Sequence, residues 1–432
     1  MAEGEERTGG RGRIRGWLSD YRFEDTQLGI WLDAIARRPN TLGTLVVGVA
    51  GTAIYLFTSS RKPQNLDYFV RLADAFLHGR VFLTEAPSWL NELIPRNGVW
   101  YVPYPPVPAV LLMPFVAIFG TNFHQQVASS IFGGVGVAFA WAALGRFELT
   151  LRARLGLTAV FGFGTTLWYT AAEGSAWYIG HSAAVMFSMA ALALVLWRRW
   201  PFLVGFLIGA ATFARLPAGL TAPFFLAMAA GIGWPPRLPE RSQWVTTLRT
   251  VVAFGLGLAI PVGLYVLYNL ARWGTVTDGS YVLIPGVLDD PVYAKHGILA
   301  LEYIPRNLYA IFLRSWNYVD DPPFLQPSWM GLSLFLTTPL FAWLFRARLR
   351  DPRVAWAVVA TALAAIPIIT HGNVGFTQFG YRFSLDFQPM LFVILATVWE
   401  RGVSRVAWAA AIASIVICAY AFWAIRIGFV AF

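Results

Sequence analysis

Thr41-Leu-Gly-Thr-Leu-Val-Val-Gly-Val-Ala-Gly-Thr-Ala-Ile-Tyr-Leu-Phe-Thr58 carries no charge and is long enough to cross a bilayer as a helix. A few residues later the chain reads Asn65-Leu-Asp67-Tyr68-Phe69, followed by Arg71, Asp74, His78 and Arg80. Ionisable groups so close to the end of a span lie at the membrane surface, level with lipid head groups. A carboxylate held there is a candidate general base for chemistry on a lipid-linked substrate.

Composition extends this reading to the whole chain. Of 432 residues, 57% are apolar and 13% charged, against about 25% charged in soluble domains. The chain therefore reads as an all-α polytopic membrane protein. Its net charge of +10 raises the question of nucleic acid. The arginines, however, fall in short clusters between apolar runs, which is the positive-inside pattern, and a nucleic-acid partner is rejected. Cys418, the one cysteine, lies inside the last apolar run and excludes an internal disulfide or a thiolate metal site. No apolar core precedes Leu42, so a cleaved signal peptide is not expected. Residues 1–16 read as disordered and Trp17 to Arg38 as an amphipathic helix on the inner surface.

Apolar runs recur near 41–58, 107–120, 124–145, 155–172, 181–197, 201–214, 216–232, 250–270, 328–345, 353–370, 384–399 and 406–425. The 107–120 run is short and holds Pro108 and Pro114, as expected of an interfacial or re-entrant piece. If it does not span, 21 of the 33 Lys and Arg fall on the inner side; if it does, 19 fall outside. The charge rule selects about eleven spans with the N-terminus in the cytoplasm. The units are then an inner tail (1–40), a transmembrane core (41–270) holding the outer loop 59–123, an outer loop (271–327), and C-terminal helices (328–432). The second outer loop shows no obvious helix. All five histidines, with Asp67, Glu173, Arg215 and Arg382, fall on the outer side.

Several constellations there carry chemistry, each beside a plainer reading. Asp67 and Asp74, seven apart with Arg71 between, would share one face of a helix. They suit a base beside a lipid or, equally, a solvated amphipathic face. Gly98-Val-Trp100-Tyr101-Val-Pro103-Tyr104-Pro105-Pro106 is a platform closing a site or an interfacial aromatic belt. Glu173-Gly-Ser-Ala-Trp177-Tyr-Ile-Gly-His181 reads as a short outer loop supplying a second carboxylate and an imidazole for phosphate, or a helix cap. Carboxylate plus imidazole also leaves a divalent metal open, without a diagnostic spacing; no other cofactor is expected. Arg215 divides two apolar runs, so it must snorkel or meet an anion. In 271–327, Tyr293, Lys295, His296, Arg306, Arg314 and Trp316 combine cations for phosphate with ring faces for a sugar. Arg382 opens a late span, with Asp386 to orient it.

Together these features resemble the GT-C superfamily of integral-membrane glycosyltransferases, in particular its protein O-mannosyltransferase and aminoarabinose-transferase group. The resemblance rests on Asn65-Leu-Asp67-Tyr68 leading into Leu72-Ala-Asp74, and on a Tyr-Pro element before a short helix ending Phe119-Gly120. It rests also on Gly209-Ala-Ala-Thr-Phe-Ala-Arg215-Leu-Pro217 and Gly380-Tyr381-Arg382-Phe383. It implies a bundle with interfacial helices in the first outer loop. The implied activity is transfer of a sugar from a polyprenyl-phosphate donor to a glycan, lipid or protein hydroxyl at the outer face of the cytoplasmic membrane. It assigns Asp67, and more loosely Glu173, to the active centre and Arg215 to the donor phosphate. His181, Arg382, Asp74, Tyr104 and Arg306 complete the candidate substrate-binding set. The departure is that Asp67 is flanked by Leu66 and Tyr68 where some members have adjacent acids. A lipid-linked sugar flippase or transporter, and a non-catalytic scaffold of the same fold, are the alternatives.

Overall fold

A computed structural model describes residues 41–59, 66–197, 200–237 and 239–431. The N-terminal tail with its expected amphipathic helix, and Asn65, lie outside the described residues. What is described is mostly helical, with two short β-hairpins.

Helix α1 (Thr41–Thr58) leads into the first loop, which contains α2 (Tyr68–Leu77), strands β1 (Ile94–Arg96) and β2 (Val99–Tyr101), and α3 (Val107–Phe119). Helix α2 is amphipathic and buries Tyr68, Phe69, Val70, Leu72, Ala73 and Ala75. The turn between β1 and β2 places Asn97 and Gly98 at positive φ, 52° and 78°, as a tight hairpin requires. Thirteen residues of α3 reach only about 20 Å at 1.5 Å each, short of the roughly 30 Å hydrocarbon core. Both helices of this loop therefore have the dimensions of interfacial pieces.

The bundle proper consists of α4 (Gln125–Leu144), α5 (Leu151–Phe163), α6 (Leu167–Glu173), α7 (Ala176–Leu196), α8 (Pro201–Thr212), α9 (Ala222–Ala230) and α10 (Trp244–Trp273). After the second loop come α12 (Leu334–Thr337), α13 (Pro352–Ile369), α14 (Gln388–Trp399) and α15 (Arg405–Arg426). Among the described residues, α4, α7, α10, α13 and α15 are long and apolar enough to cross a membrane. Helices α4 and α7 are mostly buried, whereas α10, α13 and α15 expose most of their surface, as lipid-facing helices do. Glycine sets the closest helix contact. A Cβ on Gly205 would lie 2.0 Å from Phe254 O, and one on Gly257 1.9 Å from Phe202 O, so α8 and α10 cross backbone to backbone.

Two expectations need correction. Residues 173–181 are not a loop: only Gly174, in the left-handed region at φ 55°, and Ser175 separate α6 from α7, and His181 lies in the second turn of α7. Nor is 271–327 without a helix: α11 (Ile304–Phe312) lies within it, followed by the hairpin β3 (Asn317–Tyr318) and β4 (Leu325–Gln326). Nine residues at helical period were too few to stand out among prolines and aromatics.

Several apolar runs are broken rather than continuous. The 155–172 run splits into α5 and α6; α8 stops at Thr212 ahead of a 3-10 turn at Leu216–Thr221; and α14 starts only after a 3-10 turn at Arg382–Asp386. Irregular backbone at membrane depth persists only where protein surrounds it or where it lines a cavity. Two of these breaks, at Arg215 and at Asp386, meet in space.

Candidate functional site

Arg215 follows the last turn of α8, where Pro217 prevents the helix from continuing. Its Nε and Nη2 donate to Oδ1 and Oδ2 of Asp386 at 3.2 and 2.8 Å, a bidentate clamp on a fully buried carboxylate. His181 comes from α7, with Nδ1 3.3 Å from Asp386 Oδ1. Asp386 was expected to orient Arg382, but it pairs with Arg215 and His181 instead. The reason is the 3-10 geometry of 382–386: at three residues per turn, positions four apart do not share a face.

Arg382 is buried at 7% exposure, and its Nη1 donates to Phe376 O at 2.6 Å. Its Nε has no hydrogen-bond partner, and among the described residues no carboxylate lies within ion-pair distance. Its guanidinium and that of Arg215 both lie over one hub, Phe383, at 5.2 and 5.3 Å from the ring centre. His181 stacks on the same ring at 5.9 Å, and His371 and Tyr381 meet it edge-on. Burial drives the His371 imidazole down to about 4, and the charges of Arg215, Arg306 and Arg382 push the same way. His371 is therefore neutral at physiological pH, within the field of three arginines. One buried acid does not balance that field, and such an arrangement is chemically suited to an anion.

A second polar group adjoins it. Trp177 is one turn before His181 on the same face of α7. Its Nε1 donates to Tyr104 Oη at 3.0 Å and to Glu92 Oε2 at 3.3 Å, and the Tyr104 hydroxyl also donates to Glu92 Oε2. Glu92 N donates to the Tyr68 hydroxyl at 2.9 Å, tying the loop to α2. The hairpin holds this loop in place: Arg96 Nη1 donates to Arg272 O at 2.9 Å, and Arg272 Nη1 returns a bond to Val102 O at 3.0 Å. Burial raises the Glu92 carboxyl above the usual carboxylate range, against the opposing pull of Trp177 and of the Arg382 charge. A desolvated carboxylate facing a cationic crater is poised to accept a proton.

The structure thus unites Arg215, His181 and Arg382, with Tyr104 next to them. Asp67, at the N-cap of α2, has both oxygens engaged: Arg71 Nε donates to Oδ2 and Trp89 Nε1 to Oδ1, each at 3.0 Å. Glu173 pairs with Arg426 Nη2 at 2.8 Å, tying α6 to the end of α15. Asp74 lies beside His78, the residue that caps α2, at 3.6 Å. Arg306 donates to Gly372 O and lies over Tyr303, at the rim beyond His371. Among the described residues no three His, Cys, Asp or Glu side chains gather at ligating distance. Glu92 was missed in sequence: Asn91-Glu92-Leu93 looks like any solvated loop acid, and only Tyr104 and Trp177 distinguish it.

No protein-family model matches the chain, and no curated protein sequence matches it. The fold is similar to the crystal structure of ArnT from Cupriavidus metallidurans bound to undecaprenyl phosphate, with TM-score 0.50 and 12% identity over 88% of this chain. The apo structure of the same protein aligns with TM-score 0.49 and 15% identity over 86%. The chain spans 63% of the length of the lipid-bound neighbour.

Proposed function

From the GT-C, aminoarabinose-transferase-like fold that this integral membrane protein shares with ArnT, we propose that it is a glycosyltransferase. It would move a sugar from a polyprenyl-phosphate donor to a hydroxyl acceptor at the extracytoplasmic face of the cytoplasmic membrane. The observation that carries this reading is Arg382, a buried cation without a carboxylate, set beside the Arg215–Asp386–His181 cluster. Undecaprenyl phosphate in the ArnT crystal structure supplies the ligand class: a phosphate at the end of a hydrocarbon chain.

In this reading Arg382 and the outward edge of Arg215 hold the donor phosphate. They stabilise the charge that grows on it as the glycosidic bond breaks. Neutral His371 shapes the pocket without adding charge to it, and His181 backs Asp386. A carboxylate takes the proton from the acceptor hydroxyl. Asp67 and Glu92 compete for that role, and burial together with the reach of the Arg382 field favours Glu92. Asp67, held by Arg71 and Trp89, would order the entrance.

The test is binding followed by transfer. The purified full chain should retain undecaprenyl phosphate in native mass spectrometry, and Arg382→Gln should weaken that retention by about tenfold or more. Wild-type protein should then glycosylate an acceptor from a panel of polyprenyl-phosphate sugars. Equal retention by the variant would refute the phosphate site. Movement of labelled lipid across vesicles without a new glycosidic bond would make the protein a flippase.

A further inference from the structure

The opposite end of the bundle carries a second concave site, lined by Arg348, Arg350, Arg353 and Arg401 with Asp351 and Glu400, around a cavity of about 520 Å³. It lies where the chain enters α13 and where α14 ends. The 18 residues of α13, about 27 Å at 1.5 Å each, separate it from the crater around His371.

Its charges do not cancel. Both acids are taken by Arg353, whose Nη2 lies 2.7 Å from Asp351 Oδ2 and 2.8 Å from Glu400 Oε2. Arg401 Nη2 donates to Arg346 O at 2.7 Å, a carbonyl without net charge. Among the described residues, Arg348, Arg350 and Arg401 therefore have no carboxylate within ion-pair distance. Several guanidinium groups converging on one cavity suit phosphate, which their planar donor forks fit.

Residues near the lining ones in sequence say what kind of phosphate. Phe345 and Leu349, four residues apart and leading into the cavity, are 82% and 59% exposed, and Val406 beyond Arg401 is 67% exposed. Free phosphate would leave the outward faces of these side chains without an apolar partner from the ligand. A molecule with a charged head and hydrocarbon tails satisfies both parts at once. We propose that this pocket binds the phosphate headgroup of an anionic membrane phospholipid, with the acyl chains against Phe345 and Leu349. The bound lipid would clamp the ends of α13 and α14, whose other ends lead to His371 and Asp386.

The full chain in mild detergent, titrated with phosphatidylglycerol and phosphatidylcholine and followed by native mass spectrometry, tests this. Wild-type protein should prefer phosphatidylglycerol, and Arg348→Gln/Arg350→Gln/Arg401→Gln should lower that preference by about tenfold or more. Arg237→Gln/Arg241→Gln/Arg249→Gln removes equal charge near the start of α10, outside the pocket, and should leave the preference intact. If this control loses it equally, surface charge alone attracts the lipid and the site is overturned. Displacement of the lipid by excess inorganic phosphate would make it a site for soluble phosphate and overturn the lipid reading. Should the triple variant melt, Arg348→Gln/Arg350→Gln, both exposed, repeats the test with Arg401 intact and should still show a loss.

Discussion

Each end of the bundle carries an arginine clamped on a carboxylate at 2.8 Å, and the two clamps have different physical meanings. At the crater end Asp386 is completely buried, and a second arginine with no carboxylate within ion-pair distance lies next to its own. At the other end Arg353 bridges Asp351 and Glu400, with all three side chains partly in water. Bond length does not distinguish them. Solvent does: water screens one set of charges, while protein alone must balance the other. The crater clamp is therefore held without water to screen it, whereas at the Arg353 end both acids are tied down by one arginine in partial contact with solvent.

The sharpest way to test that contrast is kinetic. Glu92→Gln should lower transfer by about 10²–10⁴-fold with the fold retained, while Asp67→Asn, whose two carboxylate oxygens are both engaged, should lower it by less than about tenfold. Equal losses would return the role of base to Asp67. A pH profile adds a sign. Glu92 accepts a proton only when ionised, and burial raises its pKa. Turnover should therefore fall with decreasing pH through a value above the ordinary carboxylate range, and Glu92→Gln should remove that limb.

A stability measurement comes next in size. Asp386→Asn leaves Arg215 beside Arg382 without a counter-charge, and should cost about 3 kcal/mol or more in a melting experiment. Arg353→Gln, at the partly solvated end, should cost no more than about 1 kcal/mol. If the two variants melt alike, solvent exposure does not separate the two ends as argued.

Arg215 was legible in the sequence because an arginine between two apolar runs is expensive unless it meets an anion or reaches water. The short 107–120 helix was legible from its length, whereas 155–172 and 384–399 read as continuous runs and their breaks came only with the structure. Asp386 was read as orienting Arg382, but the chain makes a 3-10 turn there and Asp386 pairs with Arg215 instead. His181 looked like a loop residue, since two residues of break were read as eight. The importance of Glu92 was not legible: its surroundings come from Tyr68, Tyr104 and Trp177, on three other segments.

Hydropathy and the spacing of charged clusters along the chain determined by themselves that this is a helical membrane protein. Those properties are sums over local composition, which no packing can alter. Which carboxylate faces the cations, and which arginine remains without a counter-charge, was decided only when distant helix breaks met. Desolvation and Coulomb energy depend on neighbours in space, and a neighbour 171 residues away, as Asp386 is from Arg215, leaves no trace in local sequence.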